Sequence, residues 1–272
     1  MKRLNLLTLI VALIMLSTVF NGNIYAEDKS AVKNKTYILA TIGLTRDIAL
    51  AAKTEFEKSG YKLEVKTYDD WISPNVATEE GSVDAVYFQH IPYLNQFNKE
   101  RNGHLVQHGG KIYTNTFGIF SEKIKTLDQL KNGAIVATNS DASNRHRSLV
   151  LLESFGLIKL KKGVGFATKA DIIENKKNLK IMEIEGFKLP AVLPDVDIII
   201  GNTAILALAG KYPDKLVALE KLPKEYYAQI LVVKGDRKDL KFAKELEKAL
   251  KSKAVQKFVK ERYKGAFAPA WK

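Results

Sequence analysis

From Thr36 onward, short β-rich runs alternate with amphipathic helical patterns, and that alternation limits what this chain can become more than any other feature. Thr36 to Ile42 reads as a strand, and after Gly43 the apolar positions Ile48, Ala51, Ala52 and Phe56 fall at helical spacing. Tyr61, Leu63 and Val65 alternate with Lys62, Glu64 and Lys66 as a second strand. Ser73-Pro74 then reads as an N-cap followed by Pro at the first helical position. Residues 84–88 form a third strand and 92–97 open another helix; strands at 133–137 and 196–200, with helices beginning near Ser143 and Thr203, continue the rhythm. Such a pattern predicts an α/β fold with mainly parallel sheets.

Residues 114–121 and 227–234 break the rhythm, being extended and apolar with no crossover helix. A chain that leaves one α/β lobe and returns to it needs two such strands. The expected organisation is therefore lobe I from residues 33–113 with 235–272, and lobe II from 114–234. Ligands of α/β sheets bind beyond the carboxyl ends of the strands, so both lobes offer loop ends to a cleft between them.

Ahead of the first strand, Lys2-Arg3 precedes an apolar run from Leu6 to Leu16, then small and polar residues and Ile24-Tyr25-Ala26. This is the layout of an export signal over residues 1–26, cleaved after Ala26. The apolar run is about half the ~20 residues of a spanning helix, and retention as an uncleaved anchor is the alternative. The mature protein is expected to be periplasmic or otherwise extracytoplasmic. Among 272 residues there is no cysteine, which excludes disulfides, thiolate metal sites, cysteine nucleophiles and lipid attachment at a signal-peptide cysteine.

The formal charge is +13, and loss of residues 1–26 removes Lys2 and Arg3 but no acid, leaving +11. A nucleic-acid or polyanion partner is one reading of this excess; a solvated basic surface is the other. Lysines interleaved with acids, as in Lys238-Asp239-Leu240-Lys241, favour the solvated surface, and an export signal argues against nucleic acid.

Three segments carry candidate chemistry. In Asp141-Ala142-Ser143-Asn144-Arg145-His146-Arg147, Ser143 or Asn144 can cap a helix whose free N–H groups favour an anion, and Arg147 can grip a carboxylate from the first turn. A plain cap with a surface arginine explains the same letters. Tyr87, Phe88 and His90 end a strand where they can line a cleft or fill an aromatic core, and Trp71 can serve as a lid or plug an apolar gap. His104 and His108 stand four apart, but Gly103, Gly109 and Gly110 disfavour the helix a shared metal would need, so no metal site is expected. No nucleophile elbow, phosphate loop or zinc-protease motif is present, so neither catalysis nor a cofactor is expected.

Taken together, these segments resemble the NlpA-type methionine-binding lipoproteins that serve ABC importers, over residues 36–272. The resemblance is carried by residues 84–94, Asp-Ala-Val-Tyr-Phe-Gln-His-Ile-Pro-Tyr-Leu, and by Ser143 to Arg147. Further support comes from residues 70–75 and 171–175, from Asp195-Val196-Asp197 with Gly201-Asn202, and from the ending Tyr263-Lys264-Gly265-Ala266-Phe267-Ala268-Pro269. It implies a two-lobed type II periplasmic-binding fold that closes over an amino-acid-type ligand and delivers it to an ABC permease. By the same resemblance Arg147 grips the ligand carboxylate beside Asn144. Tyr87, Phe88 and His90 line the site, and Asn202 joins them. The family's lipobox cysteine is missing, Trp71 stands where its members usually show Tyr, and Gln229 stands where they show Asn. Trp71 and Gln229 are accordingly expected to set a ligand specificity that departs from methionine or shifts its pose. Replacing Arg147 with Ala is expected to weaken binding while leaving the ligand-free protein nearly as stable.

Overall fold

A computed structural model describes residues 35–221, 225–237 and 241–271; the expected signal segment and the expected cleavage after Ala26 lie outside them. The first lobe opens with β1 (Thr36–Ile42), α1 (Gly43–Glu57), β2 (Lys62–Tyr68), α2 (Ser73–Glu79), β3 (Ala85–His90), α3 (Ile91–Arg101) and β4 (Leu105–Lys111). The chain then crosses through β5 (Tyr113–Asn115) into β6 (Phe117–Phe120). There follow β7 (Ile135–Asn139), α4 (Ala142–Ser154), the small pair β8 (Lys159–Leu160) and β9 (Ile172–Glu174), and β10 (Lys180–Ile184). Next come α5 (Leu189–Val192), β11 (Ile198–Asn202), α6 (Thr203–Leu208) and β12 (Leu216–Leu219). It returns as β13 (Gln229–Lys234) and ends with α7 (Lys241–Leu250), α8 (Lys253–Arg262) and β14 (Phe267–Pro269).

Two five-stranded sheets result, ordered β2-β1-β3-β13-β4 and β10-β7-β11-β6-β12. In the first, β13 runs antiparallel to β3 and β4; in the second, β6 runs antiparallel to β11 and β12. Each sheet thus has four parallel strands with one reversed strand at the same place in the order, and the reversed strand is the one reached by crossing between lobes. Because it is reversed, its first residue sits at the same sheet edge as the carboxyl ends of the others. Gln229 accordingly pairs with His90, and Phe117 with Asn202.

The boundary expected at residue 234 is corrected by this topology, because residues 229–234 form a strand of the first sheet and the second crossing precedes Gln229. The physical reason is that Ile230 through Val233 are all buried, the continuous apolar run of a strand covered on both faces. Two expected caps also move. Ser73 is helical rather than capping, and Asp70 Oδ1 accepts from the N–H groups of Ile72 and Ser73, both at 2.7 Å. At α4 the cap is Asp141, not Ser143 or Asn144, and Arg147 falls in the second turn.

One core wraps the first sheet, with Leu39, Ile48, Phe56, Val232, Phe242 and Leu246 among its buried members. Another fills the far face of the second sheet through Val136, Leu149, Leu152, Ile198 and Ile200. The carboxyl end of α8 is tied to the start of α1, where Tyr263 donates to the Leu44 carbonyl at 2.8 Å and Arg262 pairs with Asp47 at 3.0 Å. β14 pairs with β5, so the last strand is bound to the first crossing.

Candidate functional site

The strand ends meet around one small cavity of about 40 Å³. From the first lobe come Ile42, Leu44, Trp71, Phe88, Gln89, His90, Tyr93 and Gln229; from the crossing and the second lobe come Asn115, Asn144, Arg147, Asn202 and Ile205. Seven of the eight residues singled out in the sequence are thus brought together. The eighth, Tyr87, is fully buried and does not line the cavity; its hydroxyl donates to Gln229 Oε1 at 2.8 Å. Gln229 Nε2 donates in turn to the Phe88 carbonyl at 3.1 Å, so the amide that lines the cavity is also spent in bracing the sheet.

Arg147 is the centre of the arrangement. Its guanidinium lies between two aromatic rings, 4.1 Å from the Phe117 centroid and 4.0 Å from that of Tyr227. Stacking of this kind stabilises a desolvated cation by about 2 kcal/mol. Nε donates to Glu220 Oε1 at 2.8 Å, and Nη2 donates to Glu220 Oε2 and to the Asn115 carbonyl, the latter at 3.0 Å. Both side chains of the pair are almost wholly shielded, at 2% and 3% exposure. Nη1 is buried without a hydrogen-bond partner, which leaves its N–H groups for whatever enters the cavity. Nothing in the sequence marks Glu220, an isolated acid in Ala218-Leu219-Glu220-Lys221. The only cue is the need of a buried arginine for a counter-charge.

A second chain of hydrogen bonds crosses between the lobes. The Tyr93 N–H donates to His90 Nδ1 at 3.3 Å, and His90 Nε2 stands 3.2 Å from Asn144 Oδ1. Asn144 Nδ2 contacts both Asp141 oxygens at 3.1 Å, so its oxygen must be the group facing His90. This fixes the histidine as the neutral tautomer protonated at Nε2. Burial, reinforced by the Arg147 charge, pulls its pKa down to about 3. Burial also raises the pKa of Asp141, against the hydrogen bonds from Asn144 and Ser143. One free amide of this helix start is met by the protein's own carboxylate, with Asn144 N–H 3.0 Å from Asp141 Oδ1.

Trp71 closes the outer wall. Its carbonyl accepts from Tyr93 Oη at 2.8 Å, and its ring meets Tyr93 and Phe187 edge to face at 6.2 and 5.3 Å. The indole also lies against Gly186 of the second lobe, where an added Cβ would come within 2.5 Å of Trp71 and 2.7 Å of Asn139 Oδ1. Glycine is required there by close approach. Beyond Trp71 and Tyr93 opens a larger cleft of about 510 Å³, bordered by Asp70, Glu100, Arg101, Asp141 and Arg145.

Two α/β lobes, each with the same strand order, joined by two crossings and meeting over a buried guanidinium, define a solute-binding architecture. The profile of the NlpA lipoprotein family matches residues 38–271, and the chain belongs to that family. It is 38% identical over 234 residues to the D-methionine-binding lipoprotein MetQ of Salmonella typhimurium, covering 85% of this chain and 86% of that one. Among solved structures it resembles a nutrient-binding protein from Burkholderia cenocepacia bound to methionine, with a TM-score of 0.82 and 36% identity over 86% of this chain and 100% of the other. An ABC transporter periplasmic substrate-binding protein from Coxiella burnetii matches equally, with a TM-score of 0.82 and 36% identity over 86% and 100% of the two chains.

Proposed function

We propose that this chain is the extracytoplasmic solute-binding protein of an ABC importer and that it binds an α-amino acid of the methionine type between its lobes. The observation that carries this reading is the Arg147 guanidinium, buried at the cavity with Nη1 unpaired. A desolvated donor of that kind is costly until an anion meets it, and an amino-acid carboxylate supplies two acceptor oxygens. Ile42, Trp71, Phe88, Tyr93 and Ile205 offer an apolar wall for an unbranched side chain, while Asn115 and Asn202 bring amide groups for the ammonium.

The cavity has room for about three waters, so a ligand enters only as the lobes part and Trp71 leaves Gly186. Closure then hides the ligand from solvent, and a permease senses the closed form. Export follows from the segment over residues 1–26, and a chain without cysteine has no thioether to carry a lipid.

Calorimetry on unfolded and refolded protein, freed of carried-over ligand, tests the reading with L- and D-methionine. Binding with Kd of about 10 μM or tighter is expected for at least one enantiomer, and no heat up to about 1 mM would refute it.

A further inference from the structure

Arg147 and Glu220 are almost wholly shielded, and Asp141, the other shielded carboxylate near the cavity, bonds Asn144 and does not line it. Glu220 does not line the cavity. It stands behind the guanidinium, takes the edge formed by Nε and Nη2, and accepts the Phe117 N–H at 3.0 Å on Oε2. Two effects follow. Orientation is one: with that edge occupied, Nη1 is the nitrogen left for a ligand. Charge is the other: the pair is neutral, His90 is neutral, and the rest of the lining is amide, phenol, indole or hydrocarbon. An anion brought into this site would be desolvated with no free counter-charge to meet it. A zwitterion brings its own.

We propose that Glu220 is a positioning residue that sets specificity, cancelling the charge of Arg147 so that the cleft selects net-neutral amino acids over anionic analogues of the same shape. This rests on the amino-acid reading above.

The test compares L-methionine with 4-(methylthio)butanoate, which keeps the carboxylate and thioether and lacks the amine, so its smaller size removes any steric ground for rejection. In calorimetry the wild type should bind the analogue about 100-fold more weakly than methionine. In Glu220→Gln, which preserves shape and leaves the guanidinium uncancelled, that gap should close by about tenfold or more. Glu220→Asp keeps the charge and should retain the wild-type gap even where both affinities fall. An unchanged gap in Glu220→Gln, with methionine still bound, would assign Glu220 to packing alone and overturn the proposal. Should circular dichroism show that Glu220→Gln does not fold, the wild type decides: an analogue bound within about threefold of methionine overturns the proposal, and the wide gap supports it. A wild type that binds no methionine overturns the functional reading, and this proposal with it.

Discussion

Replacing Arg147 with Met should destabilise the ligand-free protein strongly, in contrast to the small effect expected from the sequence. The guanidinium contacts Glu220 through Nε at 2.8 Å and through Nη2, and it holds the Asn115 carbonyl at 3.0 Å. Methionine keeps much of the contact with the rings of Phe117 and Tyr227 but abandons a carboxylate that is 3% exposed. Breaking a buried ion pair from one side costs about 3–5 kcal/mol. For a protein of this size, that is a drop in melting temperature of roughly 6–20 °C. The assay is urea denaturation followed by circular dichroism on ligand-stripped protein. The double variant Arg147→Met, Glu220→Gln should regain about half the loss or more, because no buried charge remains and the amide oxygen still accepts the Phe117 N–H. A loss below about 1 kcal/mol in the single variant, with no coupling in the double, would mean that the pair is not a buried ion pair in solution.

Gly186→Ala should raise the Kd for methionine about tenfold or more, since the new methyl displaces Trp71 or Asn139 and overpacking costs about 1–3 kcal/mol; calorimetry showing wild-type affinity would refute a tight indole contact at closure. His90 has a native pKa of about 3, against about 6.5 in an unfolded chain. Its contribution to stability is therefore full above pH 6.5 and falls as pH drops toward 3, because the unfolded state takes up the proton first; the slope reaches about 1.4 kcal/mol per pH unit. Urea titrations between pH 7.5 and 4 should show a steeper loss for the wild type than for His90→Asn, and parallel losses would place His90 in contact with solvent.

Much of this architecture was legible because it depends on local pattern. Thr36 to Ile42 coincides with β1, and the extended runs around residues 114–121 and 227–234 mark where the chain changes lobes. What pattern does not convey is which neighbour a strand takes, and so the sequence alone places residues 229–234 with the second lobe while the structure pairs them with β3 and β4. The shared strand order of the two lobes was likewise hidden, because topology repeats here without repetition of residues. In the site, seven of eight candidate residues share one cavity. The readings left open were decided by partners distant in sequence. Arg147 is held by Glu220, 73 positions away, and Tyr87 turned from a lining residue into a brace by reaching Gln229. The helix caps moved for a local reason, since Asp70 and Asp141 outcompete the serines beside them for backbone amides.

The place of β13 governs the order in which this molecule can be made. Among the described residues β4 pairs only with β13, and Tyr87 lies 142 positions before the glutamine that accepts its hydroxyl hydrogen bond. While the ribosome is still translating the middle of the message, the first three strands are present and β4 has no neighbour to lie against. By contrast, β6 to β12 are contiguous and can assemble as soon as they emerge. Domains generally form as units during synthesis, but here the half that is translated first is completed last. Until Gln229 and the residues after it appear, the nascent chain stays open on its leading side.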